Sequence, residues 1–200
     1  MSELLMGLYA DHANFAKVLN VIESQAEAVV AGETPNLDVV VKAVTYLGGY
    51  PALFHHPAED AICQCLKKAR PALCGTVDSI MAEHVEVAVR LAALRRTVES
   101  ALAGSTTLGA EFAEAAFAFA DAEWKHMEKE GTLLFPAARA VLSAKDWRWL
   151  QERTTLDRDL HQRSDVPKEI EHLHDLMVEC RSFDDRRIQR RALEAAQSSK

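Results

Sequence analysis

Apolar residues recur at three-and-four spacing along most of the chain, in segments rich in Ala, Leu and Glu, and no alternating Val/Ile/Thr run interrupts them. Such spacing predicts helices and no strands. The first helix runs from about Ser2 to Ala31 and stops at GETPN, residues 32–36, where Gly32 ends a helix, Pro35 breaks one and Asn36 caps the next. A second starts near Leu37 and continues toward Ala69. Distortion is expected at Gly48, Gly49, Pro51 and Pro57, because a proline inside a helix removes a backbone hydrogen bond and crowds the preceding turn. A third helix lies between Pro71 and Ala103. After GSTT, residues 104–107, a fourth extends to about Leu142, with Pro136 marking a kink or the start of its last turn.

Four helices with short connections predict an all-α fold, an antiparallel up-down-up-down four-helix bundle over residues 1–142. Residues 143–200 are expected to form a helical C-terminal extension packed on or beside it. SAKD, residues 143–146, is a capping-box pattern that opens a short helix containing WRWL. Ile170, Leu173, Leu176 and Met177 share one stripe and predict another short helix. SFDD, residues 182–185, is a second box before a basic helix, and the final AAQSSK is expected to fray.

Composition narrows the class of protein. With 200 residues, 48% hydrophobic and 26% charged, the chain can bury a sizeable core as one domain and is neither disordered nor a disulfide scaffold. A formal charge of -7 and a pI near 5.6 argue against nucleic acid or an anionic membrane as partner. The first cation is Lys17, no export signal is visible and no apolar run approaches bilayer length, so a cytoplasmic location is expected. Cys63, Cys65, Cys74 and Cys180 are expected as free thiols. Cys63 and Cys65 point about 200° apart on one helix, which disfavours a bond between them, and His172-x-His174 fails as a chelate for the same reason. The RRIQRR run, residues 186–191, reads as a solvated face balanced by Asp184 and Asp185.

The histidines change the picture. His12, His55, His84 and His126 fall one to each long helix, and two of them are followed by an acid at i+4, as His55-x-x-x-Glu59 and His126-x-x-x-Glu130. His12 precedes His55 by 43 residues and His84 precedes His126 by 42, so one pattern occurs twice. Residues at i and i+4 share a helix face, about 5–6 Å apart at Cβ, and can reach one centre. The face is apolar: Leu5, Leu8 and Leu19 flank His12, Ile62 and Leu66 follow Glu59, Ile80 and Leu91 flank His84, and Phe119 with Leu133 or Leu134 flanks His126. Six ionisable groups in a core would each cost several kcal/mol unpaired. Bound metal supplies the missing charge and partners. Imidazole plus carboxylate suits iron, manganese or zinc, and four histidines with two glutamates exceed what one tetrahedral ion needs, so two ions with one or both glutamates bridging are expected.

These residues resemble the hemerythrin-like HHE cation-binding domains over about residues 4–142, most strongly in FHHPAED, residues 54–60, and HMEKEGTLLFP, residues 126–136. The resemblance implies an antiparallel four-helix bundle around two non-haem iron ions, oxo- or hydroxo- and carboxylate-bridged, that bind dioxygen, nitric oxide or peroxide. It also implies His12, His55, Glu59, His84, His126 and Glu130 as ligands. The chain departs from hemerythrin proper in three places. One turn from His84 stand Ala88 and Ile80 where a further histidine belongs, Gly131 stands where an acid would follow His126 by five, and AICQCL replaces LFP in the first half. His56 can make up the ligand shortfall, as its counterpart does in some HHE domains. Successive residues lie 100° apart on an ideal helix, so this needs the distortion that Pro57 provides; otherwise His56 hydrogen-bonds behind the ligands or faces solvent.

Other candidates carry blander readings. Tyr9 can touch the site but fits core packing better, Asp60 and Glu123 are expected behind the ligands or in solvent, and Glu83 and Glu86 at the surface. Trp124, Trp147 and Trp149 look like packing anchors. The expected function is a small-ligand-binding di-iron protein, monomeric or homodimeric. A peroxide-decomposing enzyme, with catalase- or peroxidase-like activity, and an iron or redox sensor whose output is residues 143–200 are the alternatives.

Overall fold

Residues 2–154 and 168–179 are described by a computed structural model, and every regular element among them is helical. Helix α1 (Glu3–Val30) begins where the Ser2 hydroxyl accepts the Leu5 N–H at 3.2 Å. It ends in a Schellman arrangement: the Gly32 N–H reaches the Val29 carbonyl at 3.0 Å and the Glu33 N–H that of Ala28 at 2.8 Å. Gly32 holds φ at +77°, a left-handed backbone where a side chain would be strained. Asn36 then accepts the Val39 N–H and opens α2 (Leu37–Tyr50).

Helix α2 does not run on regularly. Pro51–His55 form a wider π turn before α3 (His56–Ala69), and the His56 N–H bonds the carbonyl of Pro51, five residues back. Pro57 is the cause, since it has no N–H for the carbonyl four residues earlier and its ring crowds that group. The device recurs. After a 3-10 turn at Pro71–Leu73 and helix α4 (Cys74–Leu102), helix α5 (Ala110–Lys129) widens into a π turn at Glu130–Leu134, where the Phe135 N–H bonds the Glu130 carbonyl. Pro136 follows at once in α6 (Phe135–Val141). Distortion was also expected at Gly48 and Gly49, yet α2 passes through both. Gly49 serves packing instead, because a Cβ there would overlap the Ile170 side chain.

Helix α1 packs against α2 and α5, and α4 packs against α5, α3 and α2. The apolar interior divides into two clusters. One gathers Phe15, Leu19, Tyr46, Tyr50, Leu94 and Phe119; the other gathers Leu5, Leu8, Ile62, Ile80 and Phe135. Fully burying each such side chain is worth about 1.5–3 kcal/mol. Between the clusters runs a belt of buried polar residues, Asp11, His55, Glu59, Glu123, His126 and Glu130. Stability is thus supplied from both sides of the belt, which frees the belt itself for chemistry.

Helix α7 (Ala144–Arg153) opens with the expected capping box, Ser143 and Asp146 exchanging bonds, and rests on α1 and α3 through Leu150 and Trp147. Helix α8 (Lys168–Glu179) lies on α2 and α1 with Ile170, Leu173 and His174 buried. Exposed His172 and buried His174 face apart, as their spacing requires. Trp124 and Trp147 are partly buried anchors, whereas Trp149 is exposed with the Arg153 guanidinium 4.9 Å over its ring. Cys63, Cys65 and Cys74 are free thiols. Cys180, SFDD, RRIQRR and AAQSSK lie outside the described residues, as do the side chains of Leu176 and Met177. Among the described residues no helix is long and apolar enough to cross a membrane.

Candidate metal centre

The two π turns deliver the repeated motif. His55 is the last residue of the first turn and Glu130 the first of the second; His56 and Glu59 lie in the opening turn of α3, His12 on α1, His84 on α4 and His126 on α5. Ligand atoms of His12, His55, Glu59 and Glu130 all lie within 4.8 Å of one another, and so do those of His56, Glu59, His84 and His126. The structure therefore brings all seven predicted residues to one place, and His56 joins the second group. A π turn advances fewer degrees per residue than an α turn, which lets adjacent His55 and His56 both point inward.

The two carboxylates straddle the groups. Glu59 Oε1 stands 2.9 Å from His55 Nε2 and 3.6 Å from His12 Nε2, while its Oε2 is 3.5 Å from His84 Nε2. Glu130 turns Oε2 toward His12 Nε2 at 3.3 Å and Oε1 toward His126 Nε2 at 3.2 Å and His84 Nε2 at 3.6 Å. His12 and His55 bring their Nε2 atoms within 3.1 Å. Donors sharing one ion at about 2.1 Å stand about 3.0–3.4 Å apart, so these separations fit cation coordination. The stronger test is satisfaction. Both oxygens of Glu59, both of Glu130, and Nε2 of His84 and of His126 are buried without a hydrogen-bond partner. Orphaned atoms of this kind, converging in a core, are what divalent cations would complete.

Behind the donors stands a second layer of carboxylates. Asp11 Oδ2 lies 3.0 Å from His55 Nδ1, and Asp11 Oδ1 accepts the Tyr50 hydroxyl at 3.1 Å. Glu83 Oε2 lies 3.3 Å from His126 Nδ1, while Lys129 donates to Glu83 and, at 2.8 Å, to Ser79. Asp60 Oδ1 lies 3.4 Å from His84 Nδ1. Asp11 and Glu83 fix their imidazoles so that Nε2 faces the centre, while Asp60 Oδ1, which makes no hydrogen bond, faces His84 as a charge. The surface reading of Glu83 is therefore corrected, because the turn of α4 that aims His84 inward also brings Glu83 against α5. Asp11 carried a signal too. An acid precedes the lone histidine in both halves, as Asp11-His12 and Glu83-His84, and in each half it serves the other helix's histidine. Tyr9 stays half-exposed, packed edge-on against Phe135 at 4.9 Å.

Without a cation the site is a competition between burial and charge. Burial opposes a proton on His55, but Glu59 and Asp11 outweigh it and push the imidazole up to about 10. Burial likewise opposes a proton on His84, and Asp60, Glu130 and Glu59 push it up to about 11. His56 goes the other way: burial, then the neighbouring His84, hold it down to about 3, so it offers a neutral nitrogen. Burial also raises the carboxyl of Glu123, which is 2% exposed and leaves Oε2 without a partner. Glu123 is thus a buried acid, not a solvated one.

A family model described as the hemerythrin HHE cation binding domain matches residues 6–140 of the chain. Comparison with curated proteins finds no match, and comparison with solved structures finds none.

Proposed function

The chain belongs to the hemerythrin HHE cation-binding domain family, and from that premise we propose that it holds two iron ions and binds dioxygen, nitric oxide or peroxide there. Residues 1–142 act as the metal-binding unit, an antiparallel four-helix bundle, and residues 143–200 as its extension. The orphaned buried atoms of Glu59, Glu130, His84 and His126 carry the reading. His12 and His55 would hold one ion, His56, His84 and His126 the other, and Glu59 and Glu130 would bridge. Iron bound there supplies an electrophilic centre able to change valence. The protein's own part is to orient imidazoles through Asp11 and Glu83, and to exclude bulk water with Phe15 and Phe135, whose rings lie 4.8 Å from His55 and 5.2 Å from His12. Metal analysis of the purified chain with an optical spectrum before and after peroxide tests this. Two irons per chain and a peroxide-sensitive visible band are expected; a chain with no metal after growth in ample iron overturns it.

One observation favours a sensor as the second reading. His174 of α8 stacks on Tyr50 at 4.2 Å and lies 3.1 Å from the Tyr46 hydroxyl, and Tyr50 bonds Asp11, which holds His55. Helix α8 therefore packs on the tyrosine that holds the acid behind His55. If metal loading biases its docking, limited proteolysis of the extension changes on metal addition; identical cleavage with and without metal removes the sensor.

A further inference from the structure

A cleft of about 220 Å³ enters the protein between α2 and α4 and reaches the second group of donors. Its mouth is exposed at Ala52, Ala88 and Ala92, with the Arg95 side chain lying over Gly48. Its floor is Val87, Phe119 and Glu123, and His56 forms one wall. Ala88 is decisive. It stands one turn beyond His84, and a side chain as small as alanine leaves open the space that a larger group would fill. Apart from Arg95, His56 and Glu123 the lining is apolar, and Glu123 carries an oxygen, Oε2, that is buried and without a partner. A carboxylate oxygen buried unpaired is costly, so its retention beside a cleft fits a group kept for a ligand.

We propose that this cleft is the access route and binding chamber for hydrogen peroxide, with Glu123 and His56 as its hydrogen-bonding contacts, and that the ligand approaches the His56–His84–His126 side of the centre. The inference rests on the metal-centre reading above and specifies the ligand class and the side it takes. Size permits it, since one water occupies about 30 Å³ in the liquid. Charge selects. Arg95 at the mouth repels metal cations, and the apolar walls disfavour ions, so a neutral molecule that both donates and accepts hydrogen bonds is favoured over an ion. Dioxygen and nitric oxide can enter but gain little from Glu123.

Two measurements test the chamber. Crystals pressurised with xenon should show the gas between Ala88 and Phe119, since apolar cavities of about 150 Å³ already take it, and Ala88→Phe should exclude it. In the iron-loaded chain, Ala88→Phe should slow the peroxide-induced absorbance change by about tenfold or more with iron per chain unchanged, whereas Val85→Phe, on the exposed outer face of the same helix, should not. Glu123→Leu should slow it as well, with Glu123→Gln partly restoring the rate. If Ala88→Phe loses iron, Ala92→Phe, one turn farther from His84, carries the same comparison. A plugged variant with full iron and wild-type rate, or xenon seated only beside Phe15 and Phe135, overturns the chamber. Failure of the wild-type chain to take up iron sinks the metal reading instead, and the xenon result then decides the chamber alone.

Discussion

The centre has two halves built from one motif, and they are housed differently. Around His12 and His55 the surroundings are aromatic: Phe15 and Phe135 flank the rings, and the outer acid Asp11 is held by Tyr50 within the core. Around His56, His84 and His126 they are polar and open. The outer acid Glu83 is held by Lys129 near the surface, and two clefts approach, the one at Ala88 and a second of about 290 Å³ lined by Glu83, Arg90, Lys125 and His126. A repeat of ligands therefore does not imply a repeat of function. The aromatic half is suited to holding a cation against apolar rings and the open half to exchanging ligands, since exchange needs a path and two clefts supply one.

The carboxylates that face both groups offer the largest test of that contrast. Glu59→Ala removes a donor common to both groups, so metal per chain should fall toward zero and the melting temperature should become insensitive to added iron, where at about 100 times the dissociation constant the wild type gains roughly 2.7 kcal/mol. Retention of both ions would mean that the halves are independent. His56→Leu should be smaller and one-sided: the aromatic half keeps its ion, the open half loses it, and metal analysis reads about half the wild-type content. Full content would remove His56 from the ligand set.

Acid and base act on the halves unequally in the metal-free chain. His55 and His84 have folded values raised from 6.5 to about 10 and about 11, so each contributes stability that is complete below about pH 6.5 and lost as pH climbs through those values. His56, lowered from 6.5 to about 3, contributes stability that is present above 6.5 and lost as pH falls toward 3. Thermal melts should fall at the alkaline end through both halves, and at the acid end through His56 in the open half and through the shared Glu59, whose carboxyl burial would raise but His55 and His12 hold well below its usual range. Replacing His56 with Leu should remove only its share of the acid loss. The smallest effect is expected from the outer layer. Tyr50→Phe frees Asp11, and Lys129→Ala frees Glu83; each should weaken metal affinity by about 10-fold, toward the low end of such losses. Because Lys129 is near solvent, its effect should shrink with added salt, while that of Tyr50 should not. Competition with a chelator at two ionic strengths reads both.

Much of this was legible in the chain. The helix ends follow from Ser2, Gly32, Asn36, Gly104 and Ser143, because caps and left-handed glycines act through neighbours a few residues away. The inward face of the HxxxE repeat follows from helical periodicity alone. The widened turns were legible only as disturbance, since Pro57 and Pro136 state that an ordinary bond is missing but not which carbonyl replaces it. Glu83 was misjudged because its own helix gives no sign that α5 will lay His126 and Lys129 against it.

Sequence by itself determined which side chains are chemically fit to meet and which helix face each occupies, because those properties depend on residue type and on spacing within one turn. The tertiary structure alone decided that His56 meets His84 and His126, that Asp11 and Glu83 reach across to the other helix's histidine, and that alanine at position 88 borders a cleft. Each depends on the angle and distance at which separate helices pack, and no stretch of a single helix encodes that.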